Sequence, residues 1–158
     1  MRKLLLALLT AAAVLALLAG GCASKATGSS KPPSSVPALS GQSLGGTSWL
    51  LVSYGDPAGL KPVIASTKVT LTFSDATDQI TGNGGVNGYG GFAYRSGNQL
   101  TLSGILHTEM ASTDQAVNAQ ESAYFQLLGA ALSVEFGQGT LTINCQGGQV
   151  LFFTAVER

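Results

Sequence analysis

The sequence KVTLTF at residues 68–73, followed by the glycine-rich run GNGGVNGYGG at residues 82–91, decides the fold of this chain. Val69, Leu71 and Phe73 alternate with polar residues, which is the period-two pattern of a strand with one buried face. Glycines permit positive φ and a close approach of two backbones. The glycine-rich run therefore predicts a sharp bend or a bulge between strands.

Short strands are also predicted on both sides of this stretch, and two pairs of them are separated by turn residues, as in hairpins. The predicted strands are Trp49–Val52, Phe92–Tyr94 with Leu100–Leu102 across Ser96–Asn98, and Leu141–Ile143 with Val150–Phe153 across Gly147–Gly148.

One segment departs from the strand pattern, because its apolar residues follow a helical stripe between about Asp114 and Ala131. Ser112 or Thr113 is available as the N-cap, and Asp114 would lie in the first turn, where a negative charge favours the helix. The stripe consists of Val117, Tyr124, Phe125 and Leu128. Many short strands and one helix predict a mainly β fold, α+β in character. We expect a small curved antiparallel sheet or barrel with one packed α-helix that covers one opening.

The N-terminal 22 residues predict export and lipid attachment. Arg2 and Lys3 precede an apolar run from Leu4 to Leu18, after which small residues lead to Cys22. The run is too short to favour a membrane-spanning helix. The segment resembles a bacterial lipoprotein signal, and that resemblance implies an acylated Cys22. A conventional secretory signal with an incidental cysteine is the alternative.

Two positions near Cys22 qualify this prediction. Ala19 stands where lipoprotein signals usually have Leu, which is a mild departure. Ala23 follows the cysteine, and the resemblance implies that Asp at this position retains a lipoprotein in the inner membrane. Ala23 therefore favours the outer membrane, with the protein facing the periplasm.

Composition divides the chain into three parts. Residues 1–21 form the signal peptide, and residues 22–46 form a lipidated cysteine followed by a disordered tether rich in Ser, Pro, Gly and Lys. Residues 47–158 form one folded domain. That domain has four Lys or Arg and eight Asp or Glu residues, hence a formal charge of −4. An acidic domain is a poor partner for nucleic acid. The predicted partners are the lipid bilayer, contacted through the acylated Cys22 that the signal resemblance implies, and an envelope protein of unknown identity.

Cys145 would have no cysteine partner within the chain if Cys22 is acylated. It alternates with Leu141 and Ile143 on a predicted strand, which favours a buried, inert thiol over a reactive or intermolecular one.

The inventory of reactive residues argues against catalysis. The glycine-rich run lacks the Lys-Ser/Thr of a phosphate-binding loop, His107 is the only histidine, and no serine stands in a Gly-x-Ser-x-Gly motif. One histidine and one free cysteine do not make a transition-metal site. Asp75 and Asp78 form a close pair at a predicted turn, where aspartates are common. We predict no catalytic residue, no metal and no cofactor, with His107 a structural or surface residue.

The glycine-rich run, followed by Thr108-Glu109-Met110-Ala111-Ser112, resembles the META domain family, which includes the heat-shock lipoprotein HslJ. The resemblance extends from Thr47-Ser48-Trp49 to Leu151-Phe152 and so covers nearly the whole domain. The positions that match the family motif are Trp49, Gly82, Gly85, Asn87, Tyr89, Gly91, Thr108, Met110 and Glu121. Val86 and Ser112 replace two cysteines of the family pattern that could form a disulfide there. We therefore expect ordinary packing to hold the bend against the start of the helix.

The matching residues have straightforward structural roles. Asn87 can bond to neighbouring backbone, and Tyr89 can bury its ring if its hydroxyl finds a partner. Glu121, on the helix, is expected to accept hydrogen bonds from amides of the glycine-rich run.

The resemblance implies envelope or secreted proteins associated with stress response, antibiotic tolerance or virulence, and it implies no enzymatic activity. The main hypothesis is a non-enzymatic, membrane-anchored envelope lipoprotein. The alternative is a small module in the periplasm that binds an apolar ligand or a protein, using aromatic residues. These are Trp49, Tyr54, Tyr89, Phe92 and Tyr94. An enzyme would require His107 to lie in a cleft beside Glu109 and a second carboxylate.

Overall fold

The fold is described from a computed structural model over residues 43–156. The predicted signal peptide, Cys22 and most of the predicted tether lie outside the described residues. The elements are β1 (Ser48–Gly55), β2 (Lys61–Pro62), β3 (Thr70–Phe73), β4 (Gln79–Asn83), β5 (Gly88–Ser96), β6 (Gln99–His107), α1 (Gln115–Gly129), β7 (Ala131–Phe136), β8 (Thr140–Cys145) and β9 (Val150–Ala155).

Eight of these strands form an antiparallel barrel in the order β1-β3-β4-β5-β6-β7-β8-β9, and pairing of β1 with β9 closes it. The two-residue strand β2 pairs with the end of β1. The seam between β6 and β7 has a single residue pair, Gln99 with Ser133, and α1 lies in the connection between these two strands. The predicted small barrel with one packed helix is confirmed.

The interior of the barrel is filled by side chains from the alternating strand positions. Val69, Leu71 and Phe73 are buried as their spacing predicts. The largest fully buried apolar side chains are Tyr124, Phe153, Leu71, Ile80, Leu100, Leu128, Leu141, Ile143 and Leu151. Because burial of one such side chain contributes about 1.5–3 kcal/mol, this core is the main source of stability.

The N-cap of helix α1 lies one residue after Thr113, the later of the two predicted N-caps. Asp114 is the N-cap: its backbone is extended and its carboxylate accepts a hydrogen bond from Ala116 N–H at 2.8 Å. The prediction of Ser112 or Thr113 as N-cap, with Asp114 in the first turn, is wrong. Instead, the Asn118 side chain accepts a hydrogen bond from Ser112 N–H and donates one to Ser112 C=O.

The glycine-rich run forms the end of β4, a four-residue turn and the start of β5. Gly84 N–H donates to Asn87 C=O at 2.8 Å and closes this turn. The register of β5 against β6 shifts between Gly90 and Phe92, where Gly91 lies opposite two residues of β6, so the bulge is at Gly104 and Ile105 on β6. The bend predicted for the glycine-rich run is therefore present, whereas the bulge lies on β6, outside that run.

The folded part of the chain includes residues that the sequence assigns to the tether. Leu44 is buried in the core, and Gly46 N–H donates to Phe73 C=O at 3.0 Å. These residues lie at the barrel end where β3 finishes, opposite the end that α1 covers. Among residues 43–156, no helix is long and apolar enough to cross a membrane.

Candidate functional site

The side chain of Asn87 is the centre of a buried hydrogen-bond network, which we call the Asn87 network. Its Oδ1 accepts from Thr108 Oγ1 at 2.7 Å and from Met110 N–H at 2.8 Å. Its Nδ2 donates to Met110 C=O at 2.9 Å and to Glu121 Oε2 at 2.6 Å. Only 3% of Asn87 is exposed. The amide thus uses two donors and two acceptor positions at once, which no other side chain of its size provides.

Glu121 completes the Asn87 network from the helix. Its Oε1 accepts from Val86 N–H at 3.0 Å and from Asn87 N–H at 2.7 Å. Because Oε2 meets the Asn87 amide, both carboxylate oxygens are bonded to the turn that follows β4. The contact predicted from sequence is present. Charge-assisted hydrogen bonds are stronger than neutral ones, so this contact anchors α1 over the barrel opening.

Two glycines allow the turn to approach the helix. A Cβ at Gly84 would lie 2.6 Å from Glu121 Oε1 and 2.7 Å from the Phe125 ring, closer than any side chain tolerates. Gly85 has φ of +119°, a conformation that L-residues rarely adopt. Gly85 belongs to the predicted motif, whereas Gly84 does not, because only the packed helix reveals how crowded its position is.

A pair of tyrosines lies next to this network inside the barrel. The hydroxyls of Tyr89 and Tyr124 are 2.6 Å apart, and Tyr89 Oη donates to Thr70 C=O at 2.9 Å. Burial raises the pKa of both phenols, so both remain neutral at physiological pH. The expectation that Tyr89 buries its ring and finds a hydroxyl partner is met. The role of Tyr124 as that partner was not predicted.

Gln120 is a second polar residue of α1 that sequence reasoning missed. It is 2% exposed; its Oε1 accepts from Ile64 N–H at 2.7 Å and its Nε2 donates to Thr67 Oγ1 at 2.9 Å. Gln120 therefore ties the loop before β3 to the helix. Its position three residues after Val117 and four before Tyr124, on the buried stripe, was the available signal.

The remaining motif residues do not share one location. Trp49 is buried in the core and its Nε1 donates to Thr47 Oγ1 at 2.8 Å. Gly82 and Gly91 lie in β4 and β5, where neighbouring backbone approaches them closely. Met110 has its main chain in the Asn87 network, while its side chain is 62% exposed. Val86 and Ser112 flank the network, and hydrogen bonds to Asn87 and Glu121 hold the bend.

A comparison with protein-family models matches the META domain over residues 42–157. The chain belongs to the META domain family. No curated protein sequence matches it. Among solved structures, a protein from Burkholderia xenovorans has 22% identity and a TM-score of 0.64, covering 73% of this chain and 85% of that one. A duf4847 family protein from Bacteroides vulgatus has 14% identity and a TM-score of 0.52, covering 73% of this chain and 96% of that one. These likenesses support the META domain fold.

The five aromatic residues considered for a ligand site are not brought together in this META domain. Trp49, Tyr54 and Tyr89 are buried in the core, whereas Phe92 and Tyr94 are 44% and 53% exposed on the outside of β5. A shared aromatic cavity is therefore not formed.

His107 lies at the end of β6 with its ring stacked on Phe125 of α1, the ring centroids being 4.5 Å apart. Its Nδ1 is 2.8 Å from Thr108 C=O. The ring thus packs against the helix that covers the barrel. Asp75 and Asp78 are exposed on the loop between β3 and β4, beside a hollow of about 420 Å³ that Arg95 also lines. Within residues 43–156, no group of three or more His, Cys, Asp or Glu side chains is placed to hold a metal ion.

Replacement of Glu121 tests the anchoring of α1. The Glu121→Ala variant leaves two backbone N–H groups and the Asn87 amide without an acceptor. We expect the free energy of unfolding to fall by about 1 to 3 kcal/mol, measured by chemical denaturation. Gln126→Ala, at an exposed position of the same helix, is the control and should be near neutral. Equal curves for the two variants would show that the contact does not stabilise the fold.

Cys145 gives a second test, because burial raises the pKa of its thiol to about 11 from an ordinary 9.0. In a Cys22→Ala chain, alkylation of native protein at pH 8 should be slower than in the denatured chain by about 100-fold from the lower thiolate fraction alone. As the pH rises, the Cys145 thiol deprotonates in the unfolded chain before it does in the folded protein. The stabilising effect of the neutral buried thiol is therefore present below pH 9 and is lost as the pH rises towards 11. Rapid alkylation of native protein would contradict the buried position.

Proposed function

We propose that this META domain protein is a non-enzymatic lipoprotein of the bacterial cell envelope that contributes to envelope integrity or to stress or antibiotic tolerance. In this proposal acylated Cys22 anchors the protein, the tether gives it reach, and the folded domain faces the periplasm from the outer membrane. The observation that carries the proposal is the order of charges, apolar run, small residues and cysteine in residues 1–22.

The proposed anchor is physically sufficient. Each buried methylene of an acyl chain contributes about 0.8 kcal/mol, and one chain alone gives only marginal binding to a membrane. A diacylglycerol with a further amide-linked chain on Cys22 would supply several chains. Stable attachment then needs no contact between the bilayer and the acidic folded domain.

The Asn87 network supports a structural role for the residues that match the family motif. Asn87 and Glu121 are the most deeply buried polar members, and every donor and acceptor described above points at another part of the same fold. Their hydrogen-bonding capacity is used to hold α1 against the turn after β4. A rigid, filled barrel on a lipid tether suits contact with other envelope components better than conversion of a small molecule.

The deciding experiment measures the intact mass of protein purified from membranes, beside a Cys22→Ala variant. A mass increased by two or three acyl chains, and lost in the variant together with membrane attachment, is the expected result. An unlipidated, freely released chain overturns the anchor and the location.

The contribution to tolerance is then tested by deleting the gene and challenging cells with detergents, heat and antibiotics. Growth equal to wild type under every challenge counts against a contribution to stress or antibiotic tolerance.

A protein-binding module is the second candidate, and the outer face of the barrel favours it. Leu106 on β6 is 79% exposed and Phe92 on β5 is 44% exposed, although both belong to regular strands. Burial of these two side chains against a partner protein would be favourable, since it removes apolar surface from water.

A further inference from the structure

The glycine-rich run contains both Asn-Gly sequences of this chain, Asn83-Gly84 and Asn87-Gly88. An asparagine that precedes glycine is chemically unstable, because glycine has no Cβ to keep its backbone nitrogen away from the asparagine side chain. That nitrogen can attack the side-chain carbonyl carbon, Cγ. The residue at the centre of the Asn87 network is therefore also one on which loss of the side-chain amide is least hindered by its neighbour.

The reaction replaces the Asn87 amide by a carboxylate. The Gly88 nitrogen gives up its proton and forms a bond to Asn87 Cγ, the bond from Cγ to Nδ2 breaks, and ammonia leaves. Water then opens the resulting five-membered imide at either of its two carbonyl carbons, which restores the N–H of Gly88. One product is aspartate at position 87, and the other is isoaspartate, whose main chain runs through the former side chain. Water is the only co-reactant, and no oxidation or reduction takes place.

In the folded protein the Asn87 side chain is held away from this reaction. Its amide is bonded to Thr108, Met110 and Glu121, and none of these hydrogen bonds involves Gly88. Ring closure removes Nδ2 and draws Cγ onto the Gly88 nitrogen, so the contacts of the amide with α1 and with Met110 must break first. Because Asn87 is buried, water for the second step is excluded as well. The reaction therefore requires a state in which the Asn87 network has opened.

The product cannot restore the Asn87 network. In the network Nδ2 lies 2.6 Å from Glu121 Oε2 and 2.9 Å from Met110 C=O, and it donates to both. A carboxylate oxygen in its place has no proton to donate, and it would bring two negative charges into contact at a buried site. We propose that Asn87 is a deamidation site protected by the fold, so that an opening of the network that lasts long enough for reaction becomes permanent.

Asn83 provides an internal comparison, because it also precedes a glycine. Its Oδ1 accepts a hydrogen bond from Gly85 N–H at 2.7 Å, and its Nδ2 donates to no group among residues 43–156. Aspartate at position 83 would keep the acceptor and lose no donor. The Gly84 nitrogen, which would attack Asn83, donates to Asn87 C=O, so the same closed turn restrains both asparagines. Only at Asn87 does the carboxylate of the product oppose closure.

The rate of deamidation tests the protection. Purified protein is incubated at neutral pH with and without urea, and trypsin then releases one peptide, residues 69–95, that contains both asparagines. Fragmentation in the mass spectrometer assigns the reaction to Asn83 or Asn87. We expect reaction at Asn87 to be at least about 100-fold slower without urea, since a buried group reacts only through opening. Glu121→Ala, which loosens the network, should raise the rate without urea about tenfold, whereas Gln126→Ala should leave it unchanged.

Further variants separate the chemistry from its consequence. Gly88→Ala adds a Cβ 3.9 Å from the nearest atom, and it should slow the reaction at Asn87 in urea by at least about tenfold without affecting Asn83. Asn87→Asp and Asn83→Asp each carry one product of the two reactions. At neutral pH and without urea, proteolysis should be at least about tenfold faster for Asn87→Asp than for Asn83→Asp. Equal rates of deamidation at Asn87 with and without urea overturn the proposal, and so does equal proteolysis of the two aspartate variants.

Discussion

The Asn87→Ala variant should lose about 3 kcal/mol of unfolding free energy, because four hydrogen bonds of one buried amide are lost at once. Met110 loses a partner at both its N–H and its C=O, and Glu121 Oε2 loses its donor. Thr108 suffers less, since its hydroxyl lies at an exposed residue and can turn to water. Urea denaturation followed by circular dichroism measures the change.

A matched control and a charged variant make this test specific. Asn144→Ala removes two side-chain hydrogen bonds at the barrel surface, to Ser133 and Glu135, and should cost less than about 1 kcal/mol. Asn87→Asp places a second carboxylate beside Glu121, so its stability relative to wild type should improve as the pH falls from 7 to about 4. Equal losses of unfolding free energy for Asn87→Ala and Asn144→Ala would show that the Asn87 network stabilises the fold no more than surface hydrogen bonds do.

Gly82→Ala is expected to have an effect of similar size through a different cause. A Cβ at this position falls within contact distance of Thr70 C=O and 2.6 Å from Tyr89 Oη. Thr70 belongs to β3, which is paired with β4, so backbone as well as side chain would have to move. Overpacking costs typically about 1–3 kcal/mol, and because the backbone of β3 would have to move, we expect a loss at the upper end, about 3 kcal/mol, by denaturation.

Gly88→Ala is the control for this substitution. It lies on the adjacent strand opposite Asn83, and the nearest atom to its Cβ is Gly82 C=O at 3.9 Å. Both variants change glycine to alanine within strands, so the general effect on the unfolded chain is the same. A Gly82→Ala protein as stable as Gly88→Ala would mean that β3 and β4 separate easily.

Local patterns predicted most of this fold. The alternation of Val69, Leu71 and Phe73, the stripe of Tyr124 and Leu128, and the turn glycines each depend on residues close in sequence. The contact of Glu121 with the glycine-rich turn was also predictable, because a carboxylate on a helix needs donors and a turn has free amides. The predicted aromatic ligand site is not formed, because Trp49 points into the barrel, whereas Phe92 points outward.

Other features depend on residues far apart in the chain. Gln120 meets Ile64 and Thr67 only because α1 crosses the barrel opening, and neither partner has a distinctive pattern. Asp114 and not Ser112 is the N-cap, because hydrogen bonds to the Asn118 side chain hold Ser112 in another position. The exposure of Leu106 follows from its pairing with Gly90, and register between strands cannot be read from either strand alone.

The pairing of β1 with β9 has a consequence for the order in which the chain acquires structure. Trp49 is paired with Ala155, so closure joins segments that are about as distant as the domain permits. Contacts of such high sequence separation form slowly, because a long loop must be closed first. A chain delivered N terminus first can assemble the β3–β6 meander early, but it cannot complete a barrel before its final strand arrives. We therefore expect a stop codon before Val150 to leave an open sheet with exposed edges, a target for proteases and not a smaller folded protein.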